Sequence, residues 1–446
     1  MNKERKLFGT DGVRDLANTG RMTPEIALKL GRAFIKFSRG RKIVVGCDTR
    51  ISCPMLESAL VSGISSEGAD VYLAGVIPTP GVSYAIKALK ADGGAVISAS
   101  HNPAEYNGIK FLGADGCKLS DDEELAIEDF LAPSPSPLAT SPSPLATSPV
   151  GRIHDAPELV KDYAQHIASL LEPEAAINNI AFDCANGASA RSVPVLIEHT
   201  PFSRLKTYVL AKDYDGLNIN KSCGVMHMDN LTSYVREHGC SMGFAFDGDA
   251  DRVLISDPQG RIIDGDVILW VLGRWLKKRG NTKAVVTVMS NMALEAHFER
   301  EGIETLRCPV GDRYVLETMR ESGAGLGGEQ SGHIIASEFT ATGDGLCTAM
   351  LFLNAIHDLK EDVATLNDRF GRYPQRLTNI TLTRPREQVD MDAVDAIVSA
   401  HIVKGGRIFV RTSGTEPLLR ILVEAPELEV VEELSALLAS KLEKFC

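Results

Sequence analysis

Asp247, Asp249 and Asp251 stand at alternate positions directly behind the apolar run Met242-Gly243-Phe244-Ala245-Phe246, and Arg252 follows them. In extended chain, alternate side chains fall on one side of the backbone, so three carboxylates at this spacing can converge on one hard divalent cation. An EF-hand loop begins similarly but needs Gly at its sixth position and Glu at its twelfth, where this chain has Arg252 and Pro258. An aspartyl nucleophile of the haloacid-dehalogenase type wants a Thr where Arg252-Val253 stand, so that reading drops away. A solvated acidic turn is the plain alternative, and the triplet alone does not decide between them.

Three further stretches carry chemistry. Ile97-Ser98-Ala99-Ser100-His101-Asn102-Pro103, with Asn107-Gly108-Ile109-Lys110 behind it, puts polar residues at the end of an apolar strand. Pro103 and Gly108 break regular structure there, so the loop can present Ser100 to a ligand beside His101 and Lys110. No Gly-x-Ser-x-Gly elbow surrounds Ser100, which disfavours a hydrolytic triad. Phosphoryl transfer fits better, because a serine that carries phosphate needs a metal and nearby cations to neutralise the moving group.

Arg411-Thr412-Ser413-Gly414-Thr415-Glu416-Pro417, followed by Arg420, reads as a phosphate cradle: hydroxyls, a Gly that lets backbone N–H groups approach, and two guanidiniums. Gly327-Gly328-Glu329-Gln330-Ser331-Gly332-His333 presents a carboxylate and a hydroxyl suited to sugar hydroxyls, without the spacing of a dinucleotide loop.

The elements that must position these loops follow from periodicity. Strands at 43–47, 70–73 and 95–98 alternate with helices at 54–67 and 82–89, which implies βαβ units and a mostly parallel sheet. The same alternation recurs from Ile180 to Phe246 and from Ala284 to Gly328. Ligands gather at the carboxyl ends of such strands. The last part differs, with strands at 377–382, 408–411 and 419–423 and helices at 392–400 and 430–442, a smaller α+β domain. Between the first two α/β parts the heptad Ser-Pro-Ser-Pro-Leu-Ala-Thr occurs twice, from Ser134 to Thr140 and from Ser141 to Thr147, and reads as an extended linker insert over 132–149.

At 446 residues the chain is too long for one core. Its net charge of −12 argues against general affinity for nucleic acid or anionic membrane and leaves only local basic sites for an anionic substrate. Nine cysteines without a CxxC pair suggest neither a disulfide framework nor a zinc site and fit a reducing compartment. The charged start, Met1 to Lys6, leads into no apolar segment, and no stretch approaches membrane-span length, so a cytoplasmic location is expected.

Taken together, the four loops resemble those of the α-D-phosphohexomutase family in order and over nearly the whole chain. The phosphoserine loop of that family is similar to Ser98–Pro103, its metal loop to Asp247–Arg252, its sugar loop to Gly328–His333 and its phosphate loop to Arg411–Pro417. Phe8-Gly9-Thr10-Asp11-Gly12-Val13-Arg14 and the segments behind it are most similar to the branch that acts on glucosamine phosphates.

The resemblance implies an α/β fold of four domains around a central cleft: 1–150, 151–252 and 253–367 with mixed, mostly parallel sheets, and a smaller α+β domain at 368–446. It implies that Ser100 is the phosphoserine that carries the phosphoryl group, and that Ser100 with Asp247, Asp249 and Asp251 holds Mg²⁺. Lys110 and His101 become the proton-transfer residues, and Arg14 and Arg252 the charge stabilisers. Glu329, Ser331 and His333, with the Gly311-Asp312-Arg313 loop, would bind the sugar; Arg411, Ser413, Gly414, Thr415 and Arg420 would bind the phosphate that is not reacting. A bisphosphorylated sugar, here glucosamine 1,6-bisphosphate, is the implied intermediate, and a homodimer the implied assembly.

Phosphomannomutase or phosphoglucomutase specificity stays open, as does a non-catalytic sugar-phosphate-binding protein. Asp15, where the family usually has Gly, and the Ser/Pro repeat depart from the pattern.

Overall fold

The computed structural model describes residues 7–9, 11–131, 150–383, 385, 388–401, 403, 405–412 and 417–445. The chain forms two compact units, Met1–Met289 with Glu301–Leu366, and Ser290–Arg300 with Asn367–Cys446. The Ser/Pro repeat expected as a linker lies outside the described residues.

Three sheets belong to the larger unit. The first has six strands, in the order Val13–Leu16, Tyr106–Gly113, Gly93–Ile97, Lys42–Cys47, Asp70–Val76, Ile153–Asp155. Its inner strands are parallel, and Tyr106–Gly113 runs antiparallel between Gly93–Ile97 and Val13–Leu16. Ile43, Val44 and Val45 are all fully buried. Strands covered on both faces have no polar side to alternate, which is why this segment reads as a continuous apolar run. Ile43 and Val45 pack with Leu30, Leu56 and Leu60 of helices Pro24–Ser38 and Cys53–Ser66, while Val44 packs with Val82, Ala85 and Ile86 of helix Thr79–Leu89. Each such side chain stabilises the fold by about 1.5–3 kcal/mol through burial.

The second sheet runs Ile262–Ile263, Val253–Ser256, Met242–Phe246, Ile180–Asp183, Thr207–Leu210. Val253 is the antiparallel register partner of Phe246, so Asp247 to Arg252 is the connection of a hairpin. A domain boundary at 252 would cut that hairpin, and one at 150 leaves Ile153–Asp155, a strand of the first sheet, on the wrong side. The reason is physical: a strand returning antiparallel onto its predecessor has the same apolar pattern as one that opens a new domain.

The third sheet runs Glu304–Cys308, Lys283–Thr287, Leu326–Gly328, Ile334–Ala336. In the smaller unit three antiparallel strands, Gln375–Thr381, Leu418–Glu424 and Arg407–Thr412, form the fourth sheet, in that order. Leu419, Ile421 and Val423 face Val431, Leu438 and Leu442 of helix Leu428–Leu442. With a side-chain period of two, Arg420 points to the opposite face. Among the described residues, no helix is long and apolar enough to cross a membrane, and the eight described cysteines are buried free thiols.

Candidate active site

Ser100 sits three residues beyond the carboxyl end of strand Gly93–Ile97 and has a left-handed backbone with φ 50°. For a residue with a Cβ this conformation costs about 1–3 kcal/mol and persists only where its surroundings enforce it. Arg50, fully buried, does much of that. Its Nη2 donates to the carbonyls of Ser100 (3.0 Å) and Asn102 (2.8 Å), its Nη1 to those of Pro103 and Tyr106, and its Nε to Asp48 Oδ2 at 2.9 Å. Asp48 also accepts from Ser98 Oγ (2.6 Å), which in turn accepts the Ser100 N–H (2.9 Å). From the second sheet's side, Asn220 Nδ2 donates to the carbonyls of Ser100 and Asn102 at 2.8 and 3.0 Å.

The Ser100 hydroxyl faces the second sheet's hairpin loop. Its Oγ donates to Asp247 Oδ2 at 2.7 Å and lies 3.3 Å from His101 Nδ1. This approach depends on Gly248, where a Cβ would stand 2.5 Å from the Ser100 carbonyl oxygen. The triplet that looked like a possible solvated turn is instead buried: Asp247 and Asp249 are 0% exposed and Asp251 4%. One ligand oxygen from each lies within 4.8 Å of the others.

Burial and the neighbouring Asp251 and Asp249 push Asp247 well above the usual carboxylate range. Burial acts upward on Asp251 and Asp249 too, but Lys110 pulls both down, joined by His333 for Asp251 and by Thr79 for Asp249, and both end below their ordinary value. Asp249 Oδ1 and Asp251 Oδ1 are buried and accept no hydrogen bond among the described residues. Convergent, under-neutralised oxygens of this kind fit a divalent cation such as Mg²⁺.

Cations surround the triplet. Lys110, on strand Tyr106–Gly113, sets its Nζ 2.8 Å from Asp249 Oδ2, 3.8 Å from Asp251 Oδ2 and 3.1 Å from Asp11 Oδ2. Desolvation lowers its pKa, against the pull of Asp249. Arg14 donates to the Ala99 carbonyl at 3.1 Å and pairs with Asp11. Arg252 donates its backbone N–H to Asp247 Oδ1 at 3.2 Å and bridges to His333 through the backbone. Burial, then Arg252 and Arg14, push His101 down to about 4, so its imidazole is neutral at pH 7.

In the third sheet's loop, Glu329 Oε1 accepts the Gly311 N–H at 3.0 Å and its Oε2 the Ser331 hydroxyl at 3.4 Å. His333 stands between the two acids, with Nδ1 3.7 Å from Asp251 and Nε2 3.9 Å from Asp312. Asp312 pairs with Lys118. Arg313, expected to bind substrate, ion-pairs with Asp121 and with Glu124 (2.9 Å) on helix Asp121–Leu131. In the smaller unit Arg411 and Arg420 are cross-strand partners, and Arg411 is lowered by burial and by Arg420. Ser413, Gly414 and Thr415 lie outside the described residues.

Several residues at the site carry no local sequence signal. Thr79 donates through Oγ1 to Asp249 Oδ2 at 2.6 Å, and Lys118 binds Asp11 Oδ1 at 2.5 Å. Asp48, Arg50 and Asn220 shape the Ser100 loop from afar in sequence. The one usable sign was a strand end: Asp48 follows directly on Lys42–Cys47, next to Gly93–Ile97 in the sheet. Asp15, by contrast, near the end of strand Val13–Leu16, turns its carboxylate onto the N–H groups of Leu16 and Arg21.

Four models of phosphoglucomutase/phosphomannomutase domains match the chain in order: alpha/beta/alpha domain I at residues 5–135, domain II at 161–260, domain III at 264–373 and the C-terminal domain at 377–441. The chain belongs to the phosphohexomutase family. It is an enzyme of the mutase, isomerase class.

Phosphoglucosamine mutase of Clostridium novyi is 42% identical to this phosphohexomutase over 459 residues, covering 98% of this chain and 99% of the relative. That of Streptococcus gordonii is 44% identical over 443 residues, covering 96% of each. The crystal structure of a phosphoglucomutase/phosphomannomutase family protein from Burkholderia thailandensis shares the fold, with a TM-score of 0.81 at 22% identity over 98% of this chain and 97% of that one.

Proposed function

We propose that this phosphohexomutase interconverts glucosamine 6-phosphate and glucosamine 1-phosphate in the cytoplasm, on the way to UDP-N-acetylglucosamine and cell-wall precursors. The observation that carries the chemistry is the 2.7 Å hydrogen bond from Ser100 Oγ to Asp247 within the buried carboxylate triplet. The amino-sugar assignment rests on likeness over nearly the full length to phosphoglucosamine mutases at 41–44% identity.

Ser100 carries the phosphoryl group. Its Oγ–P bond breaks as a P–O bond forms to the free hydroxyl of the substrate, which becomes glucosamine 1,6-bisphosphate. The proton of that hydroxyl passes to a nearby base, Lys110 or the neutral imidazole of His101. The departing Ser100 Oγ takes up a proton; the bisphosphate then turns over, its other phosphoryl group returns to Ser100 Oγ with loss of that proton, and the proton held by the base passes to the sugar oxygen that is released.

Asp247, Asp249 and Asp251, with the seryl phosphate, would hold Mg²⁺, which supplies charge neutralisation at the phosphoryl oxygens. Arg14 and Arg252 stabilise charge on the moving group. Glu329, Ser331 and His333 orient the sugar. Arg411, Ser413, Gly414, Thr415 and Arg420 grip the phosphate that is not reacting, so that either end of the substrate can be held. Ser100, 1% exposed, is kept from water that would hydrolyse its phosphate. The family resemblance is also the ground for a homodimer.

A coupled assay comparing glucosamine 1-phosphate with glucose 1-phosphate and mannose 1-phosphate tests the assignment. Preference for glucosamine 1-phosphate is expected; preference for either neutral sugar overturns it.

A further inference from the structure

Asp312 occupies a position no motif assigns in chemical detail. Gly311 ahead of it has φ 134° and gives its N–H to Glu329 Oε1 at 3.0 Å, which ties the loop to the carboxylate expected to hold sugar hydroxyls. Asp312 and Glu329 thus belong to one loop cluster, joined through the Gly311 backbone. The Asp312 carboxylate already has an ammonium partner: Lys118 Nζ pairs with Asp312 Oδ2 and with Asp11 Oδ1 at 2.5 Å. Asp312 Oδ1 accepts only the adjacent N–H of Arg313, at 3.0 Å, among the hydrogen bonds of the described residues, and keeps capacity for another donor. Lys118, Ser120, Glu123, Asp312 and His333 line a pocket of about 310 Å³ that opens beside it.

We infer that Asp312 is the specificity-determining residue of this mutase, receiving the 2-ammonium group of a glucosamine phosphate in a charge-assisted hydrogen bond, with Lys118 fixing the carboxylate in place. The inference rests on the amino-sugar reading above and deepens it. A neutral 2-hydroxyl gains less from the same carboxylate, so the site favours the amine by a difference of affinities. Lys118 keeps Asp312 paired in the absence of substrate, which prevents an uncompensated charge.

The test is a set of kcat/KM values for glucosamine 1-phosphate and glucose 1-phosphate with wild type, Asp312→Asn and Asp312→Glu. Asp312→Asn is expected to narrow the ratio between the two sugars by about tenfold or more, chiefly through the amino sugar, and Asp312→Glu to restore part of it. Asp312→Ser, which is smaller and uncharged, reads the same ratio if the Asn variant does not fold. An unchanged ratio, or an equal fall for both sugars, overturns the role of Asp312 while leaving the amino-sugar reading intact. A wild type that prefers glucose 1-phosphate overturns that reading, and the inference with it.

Discussion

Ser100 Oγ donates to Asp247 Oδ2 across 2.7 Å, so the residue read as phosphoryl carrier and the first of the three metal-loop carboxylates are in direct contact although 147 positions apart. Two strand ends, Ile97 and Phe246, bring them together, and Arg50 and Asn220 hold the serine loop in its left-handed turn. The contact makes the Asp247–Arg252 loop and the Ser100 loop parts of one site.

Asp247→Asn should separate metal binding from folding. Burial and like-charge repulsion push Asp247 well above its ordinary value, so in the metal-free enzyme its ionised form is a cost. The amide variant should therefore melt no lower than wild type in EDTA. Mg²⁺ at about 100 times its Kd should stabilise wild type by about 2.7 kcal/mol and the variant by far less. Thermal melts with and without Mg²⁺ check this; equal Mg²⁺ stabilisation of both proteins contradicts it.

Replacing Arg50 tests the support of the serine loop. Its guanidinium serves five acceptors, four of them carbonyls of the loop and the strand behind it. Arg50→Lys cannot reproduce that fork. Leaving several buried carbonyls of the loop without their charged donor should cost about 3–5 kcal/mol in denaturant unfolding, at about 1–3 kcal/mol for each unsatisfied group. A loss below about 1 kcal/mol with full activity would show that the loop holds its shape without Arg50.

Much of the site was legible in sequence because it is local: each loop follows an apolar strand, and strand ends collect polar residues. The alternation of strands and helices in the larger unit and the three strands of the smaller α+β domain both appear as expected; that those three pair antiparallel is a finding of the structure. What was not legible is long-range. Thr79, Asp11, Lys118, Arg50 and Asn220 reach the site only through sheet order, which single-sequence periodicity does not encode. Arg313 sits beside Asp312 in sequence, yet consecutive helical residues point in different directions, and its pairing with Asp121 and Glu124 depends on a helix nearly two hundred positions earlier. The hairpin around the metal loop was missed for the same reason, since a returning strand and a new domain look alike.

Asp344 should give stability a pH slope. Burial raises its pKa from 3.8 to about 6, while its Oδ1 accepts from Tyr163 Oη and the Cys347 N–H, both at 2.9 Å. The folded chain thus binds the proton more tightly than the unfolded one. This contribution to stability is fully present below about pH 3.8 and is lost as pH rises through about 6, amounting to about 3 kcal/mol as an upper figure. Asp344→Asn keeps an acceptor in place of Oδ1 and should remove that slope. Urea unfolding between pH 4 and 8 measures it, and parallel curves for the two proteins would refute the assignment.

Arg411 and Arg420 face each other across adjacent antiparallel strands, a repulsive arrangement that an anion between them relieves. Arg420→Gln should raise KM for the sugar phosphate by about 10–100-fold, the worth of a charged hydrogen bond of about 1.5–3 kcal/mol. Steady-state kinetics decide, and an unchanged KM removes Arg420 from phosphate binding.

The most direct measurement is intact mass with peptide mapping of the purified enzyme before and after exposure to glucosamine 1,6-bisphosphate, alongside turnover of wild type and Ser100→Ala. At most one phosphate per chain is expected, on Ser100, with none in the variant and a fall in turnover of at least about 10³-fold. Full turnover by Ser100→Ala, or stable phosphate on another residue with Ser100 never modified, would contradict this.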